Sequence, residues 1–164
     1  MTRDRNSIRG AFSLVELVVV IIIIGIIAAM AIPRLSRGTA GASDAALSGN
    51  LALIRAALNH YAAEHANRFP DGTNVVALLT QYSDAAGTPS ATKTAVFIYG
   101  PYLAAIPPCP VGNKTSPTAI AIDSANSPPA VTGGSEGWVY NPNTGEFIAN
   151  SSATDETGRA YNTY

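Results

Sequence analysis

The sequence predicts an α+β protein: one long N-terminal helix, membrane-spanning in its first half, packed on a small antiparallel β-sheet head. Three observations predict it. Residues 17–32 form an almost unbroken apolar block. Apolar residues then recur at helical spacing from Leu47 to His65. Near the other end, Trp138-Val139-Tyr140 and Glu146-Phe147-Ile148 flank a turn-forming pentapeptide. At 164 residues, a compact domain with an extension fits the chain.

The first ten residues are polar and carry Arg3, Arg5 and Arg9 against Asp4. From Phe12 to Ile32 an α-helix would run about 31 Å, which matches a hydrocarbon core of ~30 Å. A Val- and Ile-rich run is poor helix material in water. In lipid the backbone must satisfy its own hydrogen bonds, so the same run is forced into a helix. Three fates are open to it. It is a secretory signal peptide cut after Ala29-Met30-Ala31, a permanent anchor oriented by the leader arginines, or a segment freed by a cut just before the apolar block. Glu16 favours the third. A carboxylate inside a span costs up to about 3 kcal/mol near the centre and usually marks function. A peptide that is discarded, or a simple anchor, has no use for it; an acid at the membrane edge that reaches water is the plainer explanation.

Residues 10–33 resemble the signal of type IV prepilins and pseudopilins: a basic leader, then F-S-L-V-E-L-V-V-V-I, then Gly25, then Pro33. The resemblance implies a leader of residues 1–11 removed by a prepilin peptidase, N-methylation of Phe12, and Glu16 as the fifth mature residue, paired with the amino terminus of a neighbouring subunit. It departs at one point. The family has Gly before the cut, whereas here Ala11 precedes Phe12 and Gly10 lies one step back. Cleavage between Ala11 and Phe12 keeps Glu16, Gly25 and Pro33 in the family register; cleavage after Gly10 would make Glu16 sixth. Residues 12–33 are then the transmembrane and filament-core helix, and residues 34–164 the head with its amphipathic helix. Glycine at 25 lets helices approach closely. Proline at 33 either weakens the helix for bending or marks the end of the span.

Beyond the span, Leu47, Leu51, Ile54, Leu58, Tyr61 and His65 form one apolar stripe, while Asn50, Arg55, Asn59 and Glu64 lie off it. The helix is expected to reach about His65 and to stop near Arg68-Phe69-Pro70-Asp71-Gly72. Val75 to Tyr82 predicts a second short helix, and residues 83–95 a polar loop. Tyr99 to Pro110 is stiff and turn-rich, suited to covering the sheet. Ala119–Ile122 predicts a short strand, residues 123–136 a loop, and residues 138–148 a hairpin closed by Asn141-Pro142-Asn143-Thr144-Gly145. GPYLAAIPPCP and GWVYNPNTGEFIAN also resemble the covering segment and C-terminal hairpin of major pseudopilins.

The chemistry of common active sites does not appear in the sequence. There is no phosphate loop, no GxSxG elbow and no Cys-His arrangement, so the chain is not expected to be an enzyme. His60 and His65 sit five residues apart, unlike the i, i+4 pair of a zinc motif, and are read as structural or surface residues. The single Cys109, between two prolines, excludes an internal disulfide and reads as a small residue in a rigid turn. A net charge of -1 offers no footprint for nucleic acid. No cofactor is expected, with one reservation: the resemblance implies a calcium ion in a C-terminal loop, for which Asp155, Glu156 and Asp123 are the candidate oxygens. A solvated acidic segment is the simpler reading, because the spacing is not that of an EF-hand.

The resemblance implies a structural subunit of a type II secretion pseudopilus or type IV pilus-like filament. Its partners would be copies of itself, the prepilin peptidase and methyltransferase, the inner-membrane assembly platform, minor pseudopilins and the membrane. The head would face the periplasm from the bacterial inner membrane before entering the filament. A different class, a membrane-anchored or secreted envelope-binding module, would be distinguished by a mature chain starting at Ile32.

Overall fold

The computed structural model describes residues 13–164, with side chains described for all but residues 30–39. The chain divides into two units between Thr39 and Ala40, and helix α1 (Leu14–Glu64) contributes to both. In the first unit, residues 14–29 expose every side chain. Their large apolar groups range from 39% exposed at Val18 to 78% at Leu14. Among the described residues no helix is long and apolar enough to cross a membrane. The expected span over residues 12–33 lies partly outside the described residues.

The second unit is built on the expected stripe. Leu47, Leu51, Ile54, Leu58, Tyr61 and His65 are all at most 3% exposed, while Leu53, on the opposite face, is 51% exposed. Burying each Leu or Ile of that row contributes about 1.5–3 kcal/mol. The helix stops at Glu64, before the Arg68–Gly72 cluster. Ala66 (φ 55°) and Asn67 (φ 64°) adopt left-handed backbone, and the Asn67 N–H reaches back to the Ala62 carbonyl at 2.8 Å. That six-to-one bond is the usual way a helix terminus satisfies its last carbonyls.

Helix α2 (Val75–Thr80) is shorter than expected and buries Val75, Leu78 and Leu79 at i, i+3 and i+4 spacing. The Asp71 carboxylate accepts the N–H groups of Thr73 and Asn74 just ahead of it, at 2.9 and 3.0 Å. Tyr82, expected in this helix, instead belongs to β1 (Tyr82–Ser83), which pairs antiparallel with β2 (Pro89–Ser90). The segment expected as a plain polar loop therefore folds back on itself. Asp84 sets the bend, taking the N–H groups of Ala86 and Thr88 at 3.0 and 2.8 Å.

A three-stranded sheet completes the head: β3 (Ser116–Ile122), β4 (Glu136–Tyr140) and β5 (Phe147–Ala149), in that spatial order. The predicted hairpin is β4–β5, with Tyr140 opposite Phe147 and Trp138 opposite Ala149. Its turn needs glycine at 145 for two reasons. The backbone there has φ 75°, and an added Cβ would lie 2.4 Å from the Phe69 ring. Within this sheet the expected antiparallel pairing is that of β4 with β5, as of β1 with β2 elsewhere, whereas β3 runs parallel to β4. The long connection over residues 123–135 allows that crossover, as parallel neighbours cannot be joined by a tight turn. The result is an α+β arrangement with one mixed sheet and one small antiparallel pair.

The stiff segment after β2 enters the core as expected. Leu103, Ile106, Cys109 and Val111 join Trp138, Tyr140 and Phe147 with the α1 stripe in one cluster. Its backbone also supplies polar closure: the Trp138 indole N–H donates to the Pro107 carbonyl at 2.9 Å, and the Cys109 N–H to the Pro117 carbonyl at 2.9 Å. Cys109 is buried and unpaired, and burial pushes its thiol pKa up.

Candidate assembly site

The residues singled out for assembly lie at the start of α1. Glu16 sits in its first turn and is exposed, as are Val15 and Leu17 beside it. A carboxylate suits a helix N-terminus, where the unpaired N–H groups carry partial positive charge. Around it, every side chain of residues 14–29 is exposed, the large apolar ones included. A helix apolar on all sides is normally enclosed by lipid or by other helices. At Gly25 an added Cβ would meet nothing within 4 Å among the described residues. Helix α1 continues past Pro33, whose side chain lies outside the described residues. Gly10, Ala11 and Phe12, the residues of the expected cut and methylation, also lie outside them.

The three calcium candidates lie in two loops. Asp123 follows β3 and holds the crossover loop together. Its carboxylate accepts the N–H groups of Ala125, Asn126 and Ala130 and the Asn126 side-chain amide, at 2.7–3.2 Å. These donors, led by Ala130, keep it below the usual carboxylate range. Asp155 lies in the segment after β5. Its Oδ1 accepts from the Thr157 N–H and hydroxyl and from the Arg159 N–H, at 2.7–2.9 Å, and its Oδ2 accepts from the Tyr164 hydroxyl. The Tyr164 and Thr157 bonds hold the Asp155 carboxyl well below its usual range, and the Tyr164 phenol is pushed up to about 12. Glu156 is exposed. Among the described residues no three His, Cys, Asp or Glu side chains gather as a metal site.

His60 is exposed, whereas His65 is a core residue. The His65 ring stacks on Tyr61 with centroids 3.8 Å apart, and its two nitrogens lie 2.9 Å from the carbonyls of Tyr61 and Asp84. Tyr102 donates to the Glu64 carboxylate at 2.6 Å; burial first, and this acceptor second, push its phenol pKa up.

Sequence reasoning passed over Arg55 as a residue off the apolar stripe. It spans from α1 to two distant segments, donating to the carbonyls of Phe147 and Tyr164. It also forms one wall of a hollow of about 360 Å³ shared with Asn59, Phe69, Glu146 and Phe147. No local signal marks such a role, because both acceptors are backbone carbonyls.

Residues 6–32 match the family model for the prokaryotic N-terminal methylation motif, so the match includes Gly10, Ala11, Phe12, Glu16 and Gly25. No curated protein and no solved structure matches the chain. The start of α1, with its one acid in the first turn, thus lies inside the matched methylation motif, which is consistent with a prepilin signal of the type IV pilin-like kind.

Proposed function

We propose that the chain is a structural subunit of a pilus-like filament, most closely a type II secretion pseudopilus, assembled from the bacterial inner membrane. The observation that carries this reading is the helix of residues 14–29, apolar and exposed on every face yet carrying Glu16 within the methylation motif. Lipid covers those faces first; copies of the same helix cover them in the filament. The peptidase cuts between Ala11 and Phe12, the new amino terminus is methylated, and Glu16 of one subunit pairs with that amine in the next. The buried, unpaired Cys109 supports a pseudopilus over a pilus, whose heads often carry a paired disulfide.

The energetics make Glu16 the point to test. Removing one partner of a buried ion pair costs on the order of 3–5 kcal/mol, whereas an exposed pair is worth about 1 or less. Glu16→Ala deletes a polar group from an apolar helix, so insertion and leader cleavage are expected to proceed. Filament yield is expected to collapse. Mass spectrometry of wild type should show a mature chain beginning at methylated Phe12. A chain beginning at Ile32 would overturn the reading, and normal filaments from the processed variant would remove the pairing.

A further inference from the structure

We infer that the segment from Ser151 to Tyr164 is a hydrogen-bonded latch centred on Asp155, which fastens the end of the head to α1 without a calcium ion. The donor set argues for it. A calcium site asks for six to eight oxygens turned toward one point. Here the oxygens are turned toward N–H and O–H donors instead. Asp155 receives four such donors on its two oxygens. The backbone carbonyls follow suit: Ser151 accepts from Asn162, Ala153 from Tyr161, Asp155 from Gly158, Arg159 from Asp155, and Ala160 from Thr163.

The charges point the same way. The Arg159 guanidinium lies 4.1 Å from the centre of the Tyr164 ring and donates to the Thr163 carbonyl at 2.6 Å. It brings a fixed positive charge into the loop beside the ring that donates to Asp155. Asp44 Oδ1 on α1 is buried and makes no hydrogen bond, but one oxygen falls far short of a coordination sphere. The latch meets α1 through Arg55, which donates to the Tyr164 carbonyl at 2.7 Å. The carbonyls of Ser151, Ala153, Asp155, Arg159, Ala160, Thr163 and Tyr164 are therefore engaged within the chain.

The test uses the full-length chain in detergent micelles, with calcium chloride or EGTA as the only variable. Wild type is expected to unfold at the same temperature in both. Asp155→Ala should abolish hydrogen-exchange protection at the Thr157, Arg159 and Tyr161 amides, to the same extent in calcium and in EGTA. Tyr164→Phe, which removes a single donor and keeps the ring, should reduce it. A wild-type midpoint that calcium raises and EGTA restores would overturn the inference, as would full protection in Asp155→Ala.

Discussion

The Arg55 guanidinium holds the Phe147 carbonyl through two donors, Nε at 3.2 Å and Nη2 at 2.9 Å, and so ties α1 to β5 across 92 residues of sequence. The same Nη2 reaches the Tyr164 carbonyl. Half-burial, and to a lesser degree Arg159, lower the Arg55 pKa, yet the group remains the cation its two acceptors require. Lysine offers one point charge and cannot serve both carbonyls at this geometry. Arg55→Lys is expected to cost about 1.5–3 kcal/mol, the usual worth of hydrogen bonds from a charged donor. Chemical denaturation followed by Trp138 fluorescence checks it, and an unchanged midpoint would mean the guanidinium is dispensable.

Two leucines of the same helix provide an internal contrast. Leu51 is 1% exposed in the core and Leu53 is 51% exposed. Leu51→Ala should lose about 2–5 kcal/mol, since it removes buried methyl groups and leaves a cavity. Leu53→Ala should stay within about 0.5 kcal/mol of wild type. Equal effects in denaturant titrations would show that the stripe is not the packing face.

Gly137 sits where two segments cross β4. An added Cβ would lie 2.1 Å from the Pro117 carbonyl oxygen and 2.8 Å from Cys109 Cβ. Gly137→Ala must therefore push β3 and the segment before it away from the sheet, at a cost of about 1–3 kcal/mol. The neighbouring Trp138 would lose its seal, so its fluorescence should shift to the red. A variant with wild-type emission and stability would show that β3 can yield freely.

The bend at Asp84 gives an acid-side signature. The backbone N–H of Thr88, with help from those of Ala86 and Gly87, holds the Asp84 carboxyl below its ordinary value of 3.8. A depressed carboxylate contributes stability that is present above the unfolded value and lost as pH falls through the folded one. The loss is therefore expected below about pH 4. Asp84→Asn should flatten that part of the profile. Midpoints of urea unfolding measured against pH for both proteins decide the matter, and parallel curves would remove Asp84 from the account.

Local signals in the sequence were enough for the α1 stripe and the 138–148 hairpin. A row at three- and four-residue spacing must share one helix face, and Asn141 to Gly145 can only turn. Glu16 and Gly25 stand out in the sequence as a polar and a small residue in an otherwise continuous apolar run. The parallel pairing of β3 with β4 was not legible, because Ala121 finds Val139 across a loop that says nothing of direction. Nor was the pairing of Tyr82–Ser83 with Pro89–Ser90, whose strands are two residues long and polar in part. Arg55 escaped notice because its partners are backbone carbonyls, which every sequence supplies alike, and Asp155, noticed as a calcium candidate, gave no sign of the Thr157, Arg159 and Tyr164 donors that face it.

The core of the head draws Leu47, Leu51, Ile54 and Leu58 from α1 and closes them with Trp138, Tyr140 and Phe147. During synthesis the ribosome therefore releases one side of the core long before the other. Until β4 and β5 have emerged, the α1 row has only α2 and the Leu103–Val111 segment to pack against, and the core lacks its largest side chains. Contacts this remote in sequence slow folding, because a long loop must close before any of them is rewarded. A chain halted before residue 147 would leave that row incompletely covered, an apolar surface that quality control recognises.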